Sequence, residues 1–494
     1  MAKRIVVIGT GGAGLVAAIA ARMSGAEVAV ISKTSRGLGT CTAYSAGVFS
    51  LACGGVSSEE HYERTLKTGQ FVNDPSLVKI LSEETETALK TLAGWGVGIE
   101  FKRGMATVRF TARNEIMGGA GFVAELVSIA EKAGVRFEDW TVATSLRLLG
   151  DRVVGVEVQD WRTGRQECLG AGSVILATGG GGRLFSRTDN PSRITGDGYA
   201  LALKAGANLR DMEFVQFYPV GWAEPGFPRW LADVGLVDYL RITDSKGDEF
   251  LKKALKEWGF RNGREGNLYA RDLCARIMAE KDLEGGVYAH LEDLTEDQWA
   301  DPYLEYCLTL DSRLFKGVRR PLRVAPLEHY FCGGVVIDGC GRTSVDGLYA
   351  CGEAAGGVDG ANRVGGNALS SVVTFGLRAG HAAAEEGRSG FETLVAGSAR
   401  DFLAISEEGE NPEKLRRELQ EEAWAALGPI REKRKMERFL AYLSDFRTRR
   451  IRVDSSVGRL QALEMEGLFM TARAVAEAAL KRETSLGTHY MSGQ

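Results

Sequence analysis

A glycine-rich turn between a buried strand and a helix constrains the fold of this sequence more than any other feature. KRIVVI predicts a strand, GTGGAG follows it, LVAAIAARMSG predicts a helix, and AEVAVIS predicts a second strand. In this G-x-G-x-x-G pattern, Gly9 permits the tight turn, Gly11 lets a pyrophosphate approach, and Gly14 lets helix and strand pack closely. The helix N-terminus adds free N–H groups for phosphates. The unit predicts a dinucleotide-binding domain, and the alternative is a purely structural turn.

The composition excludes several classes of protein. Hydrophobic residues make up 44% and charged residues 26% of the 494 residues, which is typical of a globular protein. A net charge of −4 gives no electrostatic case for nucleic acid or for an anionic membrane surface. No two of the eight cysteines form a Cys-x-x-Cys pair, so we expect no metal or iron–sulfur site in this chain.

The same sequence predicts a reduced, cytoplasmic protein. The cysteines are scattered, the first residues lack the pattern of a signal peptide, and no apolar run reaches the ~20 residues that span a bilayer. Any contact with a membrane would therefore need a partner subunit.

Changes in pattern along the chain predict two discontinuous halves of one domain and two further domains. Buried-strand patterns dominate up to about residue 222, charged helical stretches such as DEFLKKALKEWG follow, and strands return in GGVVID and GLYACGE. The predicted limits are 1–222 and 326–395 for the nucleotide-binding domain, 223–325 for an inserted domain, and 396–494 for a helical domain.

The nucleotide is indicated by residues after three strands. An NAD site usually carries an acidic residue at the end of the second strand, where this sequence has Ser32 and Lys33. ATGGGG after SVILAT, and YACGE after a later strand, are features of flavoproteins with two dinucleotide-binding folds. Glu353 in the second of these segments is suited to accept hydrogen bonds from ribose or ribityl hydroxyls; the alternative is a solvated strand end.

With these segments the chain resembles the flavoprotein family of succinate dehydrogenase, fumarate reductase and L-aspartate oxidase. The resemblance covers nearly the whole length, in the family's order. The matching segments are GTGGAG, SK at 32–33, ATGGGG, TGDGYALALKAGA, FVQFYP, ARD at 270–272, EHYFCGGV, LYACGE, GANRVGGNAL and ETSLGTHY. The resemblance implies a Rossmann-like α/β FAD-binding domain with an inserted α+β capping domain and a C-terminal helical domain.

The resemblance also implies which residues hold FAD. Ala368 and Leu369 match residues whose backbone lies at the flavin ring, where a helix beginning there would favour the reduced anionic flavin. The full set of expected cofactor-binding residues is Gly9, Gly11, Gly12, Ala13, Gly14, Ser32, Lys33, Thr40, Cys41, Thr42, Ala46, Gly47, Val142, Ala177, Thr178, Gly179, Asp197, Glu353, Asn367, Ala368 and Leu369.

Three residues match the family's substrate site. Arg363 matches the arginine that binds a substrate carboxylate, and a planar guanidinium suits bidentate binding. His329 matches the carboxylate-binding histidine, although a lone histidine is usually structural. Arg271 matches the proton-delivering arginine, so hydride transfer between flavin N5 and a small carboxylate is the implied reaction. Arginine is a very poor acid; the alternatives are that it only stabilises charge or forms a surface pair with Asp272.

Two departures from the family pattern affect the substrate. Tyr218 stands where the family usually has the histidine that holds a second carboxylate, and a phenol carries no positive charge near neutral pH. The family's Thr-Glu-x-x-Arg segment is missing, with Asp233 or Asp238 as candidate substitutes. We expect this end of the pocket to be more apolar, lined by Tyr218, Trp222 and Trp230, and to suit a substrate with one carboxylate.

The remaining expectations concern the flavin bond and the partners. Cys41 lies where respiratory members carry the histidine that bonds to FAD, so we expect non-covalent FAD. Leu486 replaces a terminal arginine of the family. Since this chain has no haem or iron–sulfur framework, we expect an iron–sulfur electron-transfer subunit or a soluble donor. The alternatives to a carboxylate reductase are L-aspartate oxidase and a flavin-bearing electron-transfer subunit with an altered substrate site.

Overall fold

The computed structural model describes residues 3–109, 118–386 and 402–493. The predicted limit between the FAD-binding and terminal domains, at residues 395 and 396, lies outside the described residues.

A sheet of five parallel strands forms the centre of the first domain. In spatial order the strands are Leu348–Ala350, Ser173–Leu176, Arg4–Ile8, Glu27–Ile31 and Arg136–Glu138. Val6 lies in the middle, paired with Val174 on one side and Ala29 on the other. Its apolar strands are buried on both faces, as expected for a parallel sheet covered by helices. The strand order reverses direction at Arg4–Ile8, the place where such sheets bind ligands.

Helices pack on this sheet and on one another. Those of the first domain are Gly12–Met23, Cys41–Tyr44, Ser58–Thr68, Pro75–Gly94, Gly118–Lys132, Asp197–Lys204 and Asn367–Glu386. Gly12–Met23 and Asn367–Glu386 pack with their backbones close together, because a Cβ at Gly380 would lie 2.4 Å from the carbonyl oxygen of Ala17. This contact places the N-termini of both helices at the same cavity.

Within the described residues, three small sheets complete the first domain. One is antiparallel and contains Thr141–Leu149, Arg152–Asp160 and Gln166–Gly170; the second contains Val48–Ser50, Met105–Val108 and Ile99–Lys102; the third contains Leu209–Arg210, Gly334–Val336 and Ala355–Gly356. Single-turn 3-10 helices occur at Gly182–Leu184 and Gly352–Ala354.

The inserted domain is an α+β unit with its own core. Its sheet contains, in order, Leu231–Ala232, Val215–Trp222, Leu322–Phe331, Val287–Ala289 and Ile242–Asp244. Its helices are Phe250–Glu257, Gly263–Tyr269, Arg271–Leu283, Glu296–Trp299 and Pro302–Leu308, with 3-10 turns at Val234–Asp238, Leu291–Asp293 and Ser312–Leu314. The core includes the fully buried Trp222, whose ring centre lies 4.7 Å from that of Phe315.

Two long strands connect the inserted domain with the first. Val215–Trp222 and Leu322–Phe331 pair with each other and bring the side chains of Tyr218 and His329 side by side. The domain limits predicted at 222/223 and 325/326 fall at the end of one strand and inside the other.

The terminal segment is helical. From residue 402 to 493 its helices are Pro412–Leu427, Lys433–Phe446 and Ser456–Lys481, and its strands are Ala404–Glu410 and Arg450–Ile451. The side chain of Asn411 caps the first helix, and Pro412 takes the first helical position. Buried residues such as Leu419 and Met465 join the core of the FAD-binding domain. The architecture confirms the predicted fold class.

Candidate active site

One cavity of about 1400 Å³ lies between the nucleotide-binding and inserted domains. Its wall includes residues from the glycine-rich turn at one end and Arg271, His329 and Arg363 at the other. The structure thus brings the predicted nucleotide and substrate residues to one space.

At the nucleotide end, backbone atoms approach one another closely because the glycines have no side chains. We call this glycine-rich turn, residues 9–14, the cradle. Gly9 has φ +116°, and a Cβ there would lie 2.2 Å from the carbonyl oxygen of Ala177. A Cβ on Gly14 would lie 2.0 Å from the carbonyl oxygen of Gly9. Gly14 does not line the cavity and acts by close packing, the role expected of the third glycine.

The first helix presents its N-terminus to the cavity. Gly11 takes the N-cap position of Gly12–Met23 with an extended backbone and, as a glycine, supplies no side-chain cap. The Gly12 N–H donates to Thr42 Oγ1 over 3.1 Å. Thr40 caps the short helix Cys41–Tyr44 by accepting from the Ala43 N–H. Because Gly11 has no side chain to cap this helix, the N–H groups of the first turn that follow Gly12 lie beside the cavity and are suited to bind phosphate.

Lys33 and Asp197 line the cavity but bind each other. The Lys33 ammonium donates to Asp197 Oδ2 at 2.6 Å, to Thr195 Oγ1 at 2.8 Å and to Glu464 Oε1 at 3.0 Å. Glu464 is fully buried and comes from the terminal helix Ser456–Lys481. Ser32 pairs through its hydroxyl with Thr10 at 3.0 Å. The terminal helix therefore supports the nucleotide end, a contribution that sequence reasoning missed.

Glu353 brings a carboxyl group to the cavity. It is buried, and its Oε1 accepts from the Phe331 N–H over 3.0 Å. Burial raises the pKa of Glu353 to about 7. A carboxyl that is half protonated near neutral pH can donate to or accept from a hydroxyl, so the expected contact with sugar hydroxyls is chemically suitable.

The expected cofactor residues separate into two groups. Those that line the cavity are Gly9, Gly11, Gly12, Ala13, Ser32, Lys33, Thr40, Cys41, Thr42, Ala46, Val142, Ala177, Thr178, Gly179, Asp197, Glu353, Ala368 and Leu369. Gly14, Gly47 and Asn367 lie behind the wall. Asn367 is fully buried and donates to Thr65 Oγ1 at 3.1 Å, and a Cβ on Gly47 would lie 2.9 Å from the Gly118 carbonyl carbon. The cradle, the uncapped helix and the cavity fit FAD.

Arg363 lies in the loop before Asn367–Glu386 and is buried. Its Nη2 donates to Gln216 Oε1 over 3.1 Å, and its guanidinium carbon lies 4.3 Å from the centre of the Tyr330 ring. Its Nε is buried and has no hydrogen-bond partner in the described part of the chain. Gln216, which sequence reasoning missed, orients the guanidinium toward the cavity.

His329 is held by a carboxylate. Its Nδ1 lies 2.7 Å from Asp189 Oδ2, and its ring lies edge-on to the Tyr218 ring with centres 5.1 Å apart. Burial lowers the pKa of His329, Asp189 opposes that change, and Arg363 and Arg271 add to it. Asp189 is a second residue that sequence reasoning missed.

Arg271 begins the helix Arg271–Leu283 and is buried, so the alternative of a surface pair with Asp272 is wrong. Its Nε donates to the carbonyl oxygen of Asn267 at 2.8 Å and to Asn267 Oδ1 at 3.2 Å. Its guanidinium lies 4.8 Å from the centre of the Tyr218 ring. Burial lowers the pKa of Arg271.

Tyr218 donates its hydroxyl proton to protein groups. Its Oη lies 2.8 Å from Asn267 Oδ1 and 3.3 Å from Asp233 Oδ2, and Asn267 Nδ2 donates to the same Asp233 oxygen at 2.5 Å. Burial raises the pKa of both Tyr218 and Asp233. Asn267, four residues before Arg271, carried no motif by which the sequence alone could have identified it.

The structure distinguishes the remaining candidates at this end. Asp238 is exposed and accepts from the Gly263 N–H, so of the two aspartates only Asp233 reaches the cavity. Trp230 lines the cavity, but Trp222 lies in the core of the inserted domain and donates to the Leu308 carbonyl. The expectation that Trp222 lines the substrate pocket is therefore wrong.

Comparison with known proteins agrees with this geometry. A family model described as "FAD binding domain" matches residues 4–369, and one described as "Fumarate reductase flavoprotein C-term" matches residues 416–492. One subunit of a fumarate reductase (CoM/CoB) from Methanothermobacter marburgensis is 32% identical over 98% of this chain and 93% of its own. An L-aspartate oxidase from Mycobacterium leprae is 31% identical over 99% of this chain and 92% of its own.

A solved structure points to the same class. Mycobacterium smegmatis Sdh1 in complex with UQ1 matches with a TM-score of 0.82 at 28% identity, covering 99% of this chain and 89% of that one. The fold and the cavity define an FAD-dependent oxidoreductase. The chain belongs to the flavoprotein family of succinate dehydrogenase, fumarate reductase and L-aspartate oxidase, which confirms the resemblance seen in the sequence. Within the described ranges, no helix has the length and apolar character needed to cross a membrane.

Proposed function

We propose that the chain catalyses hydride transfer between FAD and the CH–CH bond of a small carboxylate, with reduction of an unsaturated acid as one direction. The observation that carries this proposal is the Arg363 side chain. It is buried beside the cavity, and its Nε has no hydrogen-bond partner within the described ranges. An unpaired buried donor is costly, and a bound carboxylate would satisfy it.

Arg363 and His329 form the carboxylate anchor of this proposal. Both line the cavity together with Ala368 and Leu369, the residues expected at the flavin ring. A guanidinium binds a carboxylate through two parallel hydrogen bonds and so fixes the plane of the substrate. Bound FAD supplies a hydride donor or acceptor at its N5 atom. By fixing the carboxylate, the anchor would set the orientation of the rest of the substrate in the cavity.

Arg271 is proposed to hold the proton that the neighbouring substrate carbon gains or loses. Burial lowers the pKa of Arg271, so its guanidinium is a stronger acid here than in water. Asn267 contacts both Arg271 and Asp233. Asp233 accepts hydrogen bonds from Tyr218, Asn267 and the Gly235 N–H when it is ionised, and burial raises its pKa. This carboxylate is therefore the candidate that takes up a proton and passes it on to a deprotonated Arg271. Asp233 would then serve in place of the family's missing glutamate.

The far end of the cavity supports a substrate with one carboxylate. Tyr218 donates its single hydroxyl proton to Asn267 and Asp233, so it has no second proton for a substrate carboxylate. Asp233 itself only accepts, from Tyr218, Asn267 and the Gly235 N–H. Two carboxylates placed side by side repel each other. Trp230 and Tyr44, with ring centres 5.7 Å apart, add an apolar wall. A second substrate carboxylate at this end would be repelled by Asp233, whereas an apolar group would pack against Trp230 and Tyr44.

Electron supply is the second part of the proposal. We propose an iron–sulfur subunit or a soluble protein as donor, non-covalent FAD, and a cytoplasmic location that becomes peripheral to a membrane only through partners. The M. marburgensis relative is named as one subunit of its enzyme, which supports the expectation of a partner chain.

L-aspartate oxidase is the second candidate function, favoured by the 31% identity to the M. leprae relative. Hydrogen peroxide formed from aspartate would distinguish it. A flavin-bearing electron-transfer subunit with an altered substrate site is the third, and it predicts no flavin reoxidation by any carboxylate.

The test is anaerobic. The holoenzyme is reduced with dithionite, and flavin reoxidation is followed after addition of fumarate, crotonate and other unsaturated mono- and dicarboxylates. We expect rapid reoxidation by a monocarboxylate, lost about 1000-fold in Arg271→Ala. Arg276→Ala on the same helix, where the side chain contacts Tyr490 instead, is the matched control. Failure of every carboxylate would reject the proposal.

A further inference from the structure

We infer that Asp189 is a positioning residue that makes His329 bind the substrate carboxylate together with one proton from solvent. The inference rests on the proposed function, because it concerns the same carboxylate anchor.

The Asp189–His329 pair is fixed from several sides. Asp189 Oδ2 lies 2.7 Å from His329 Nδ1, and Asp189 is 8% exposed. The Asp189 N–H donates to the carbonyl oxygen of Glu328 on the histidine's own strand, over 3.2 Å. Asn190 Nδ2 donates both to Asp189 Oδ1 at 3.2 Å and to the His329 carbonyl oxygen at 3.0 Å. These hydrogen bonds hold the imidazole ring of His329 with its Nδ1 toward Asp189.

That orientation decides which ring nitrogen faces the substrate. An ionised carboxylate only accepts hydrogen bonds, so His329 Nδ1 carries a proton toward Asp189. Nε2 makes no hydrogen bond to any residue that the structure describes, and the ring lines the cavity. In the neutral ring Nε2 is therefore an acceptor, as is a carboxylate oxygen. His329 can donate to a substrate carboxylate only after Nε2 has gained a proton.

The surrounding charges make this protonation depend on the ligand. The ionisable groups around the ring are Asp189, Arg363 from the loop before Asn367–Glu386, Arg271 from the inserted domain, and Tyr218 from the neighbouring strand. Burial and the two arginines lower the pKa of His329, and Asp189 opposes them. A substrate carboxylate offsets the arginine charges, so its arrival favours uptake of a proton from solvent onto Nε2. The proton returns to solvent when the carboxylate leaves.

The binding test uses the holoenzyme reduced with dithionite under anaerobic conditions, and propanoate, a saturated acid without a double bond that the reduced flavin could reduce. Flavin absorbance is followed while propanoate is titrated between about pH 6 and pH 9 at constant ionic strength. We expect the Kd to rise about tenfold per pH unit at the alkaline end. In Asp189→Asn, the pH above which the Kd of propanoate rises should be about one unit lower than in the wild type. The Kd at neutral pH should therefore be about tenfold higher.

Glu328→Gln is the matched control. This neighbouring buried carboxyl group hydrogen-bonds to Thr188 Oγ1 at 2.6 Å and not to the His329 ring. Its pKa is raised well above the ordinary value, chiefly by burial, so a neutral amide should keep the wild-type pH dependence. Loss of the dependence in this variant would contradict a specific role for Asp189.

A second measurement needs neither the flavin absorbance nor a folded Asp189→Asn variant. The chain has five histidines, so nitrogen-15 NMR of histidine-labelled protein, assigned with His329→Gln, reports the protonation of each ring nitrogen. We expect His329 to be protonated at Nδ1 alone without ligand and at both nitrogens with propanoate.

The outcomes separate this inference from the proposed function. Propanoate binding that does not depend on pH, or an Asp189→Asn variant whose pH dependence is not shifted from that of the wild type, overturns the role of Asp189 but leaves the proposed carboxylate site standing. Absence of binding by any carboxylate at any pH overturns both.

Discussion

At the nucleotide end of the cavity, contacts depend on atoms that are missing, whereas at the substrate end they depend on side chains from separate segments. Gly9 and Gly14 let backbone meet backbone, and a single added carbon at either would lie within 2.2 Å of a carbonyl oxygen. At the other end Arg363, His329 and Arg271 come from a loop, a strand and a helix. The first end is therefore sensitive to added volume and the second to the partners of each donor.

This difference predicts separable failures. Damage to the cradle should remove FAD, and with it every flavin-dependent property. Damage to the substrate end should leave a flavoprotein with altered affinity or turnover.

The largest effect is expected from Gly14→Ala. The added Cβ lies 2.0 Å from the Gly9 carbonyl oxygen, so helix and strand must separate. FAD content after purification should fall about tenfold or more. Gly94→Ala is the matched control, because a Cβ there meets no described atom within 4 Å. Equal FAD content in the two variants would contradict the cradle.

Arg363→Gln comes next. Loss of a hydrogen-bonded charge costs about 1.5–3 kcal/mol, so the Kd of crotonate should rise about 10- to 100-fold, with FAD retained. Titration of flavin absorbance measures it. Arg378→Gln removes an arginine from the following helix, where it pairs with Glu84, and should leave the Kd unchanged. An unaffected Kd in Arg363→Gln would place the carboxylate elsewhere.

Asp233→Asn is expected to have a smaller effect and tests the far end. Neutralising this residue removes repulsion of a second carboxylate, so the ratio of the fumarate Kd to the crotonate Kd should fall about tenfold. Comparison of the two acids at one pH measures the ratio directly. Asp238→Asn, at the surface near Gly263, is the control. If both variants change the ratio equally, Asp233 has no special place in selectivity.

Cys41→Ser should change least. Its thiol donates to Asn190 Oδ1 at 3.1 Å, and burial raises its pKa well above the ordinary value, so it stays a thiol. All flavin should leave wild-type and variant protein alike on acid precipitation. Flavin that stays with the wild-type precipitate but leaves Cys41→Ser would show a covalent bond.

The two ends also differ in how far the sequence predicted them. The roles of Gly9, Gly11 and Gly14 could be predicted from the sequence, because a tight turn, a phosphate contact and close helix–strand packing each require a residue without a Cβ. Arg363, His329 and Arg271 were identified through motifs of a family to which the chain belongs, and all three line the cavity. Their individual roles stay predictions.

Other residues could not be predicted because their role depends on a partner distant in sequence. Asp189 and His329 are 140 positions apart, and Lys33 and Glu464 are 431 apart. Trp222 was wrongly placed in the pocket, since an aromatic residue at the end of a strand has no sequence signal that distinguishes core from cavity. Asp233 and Asp238 were equivalent candidates until the turn at Val234–Asp238 directed one inward.

The sequence by itself determined the local geometry of this protein: a strand, a turn without side chains, a helix, and a cofactor that such a turn can bind. Those features depend on neighbours within a few residues, and backbone sterics act at that range. The tertiary structure decided which polar groups are already paired and which face the cavity. Tyr218 and Asp189 show the reason, because a hydrogen bond to another segment determines whether a donor remains available for a ligand.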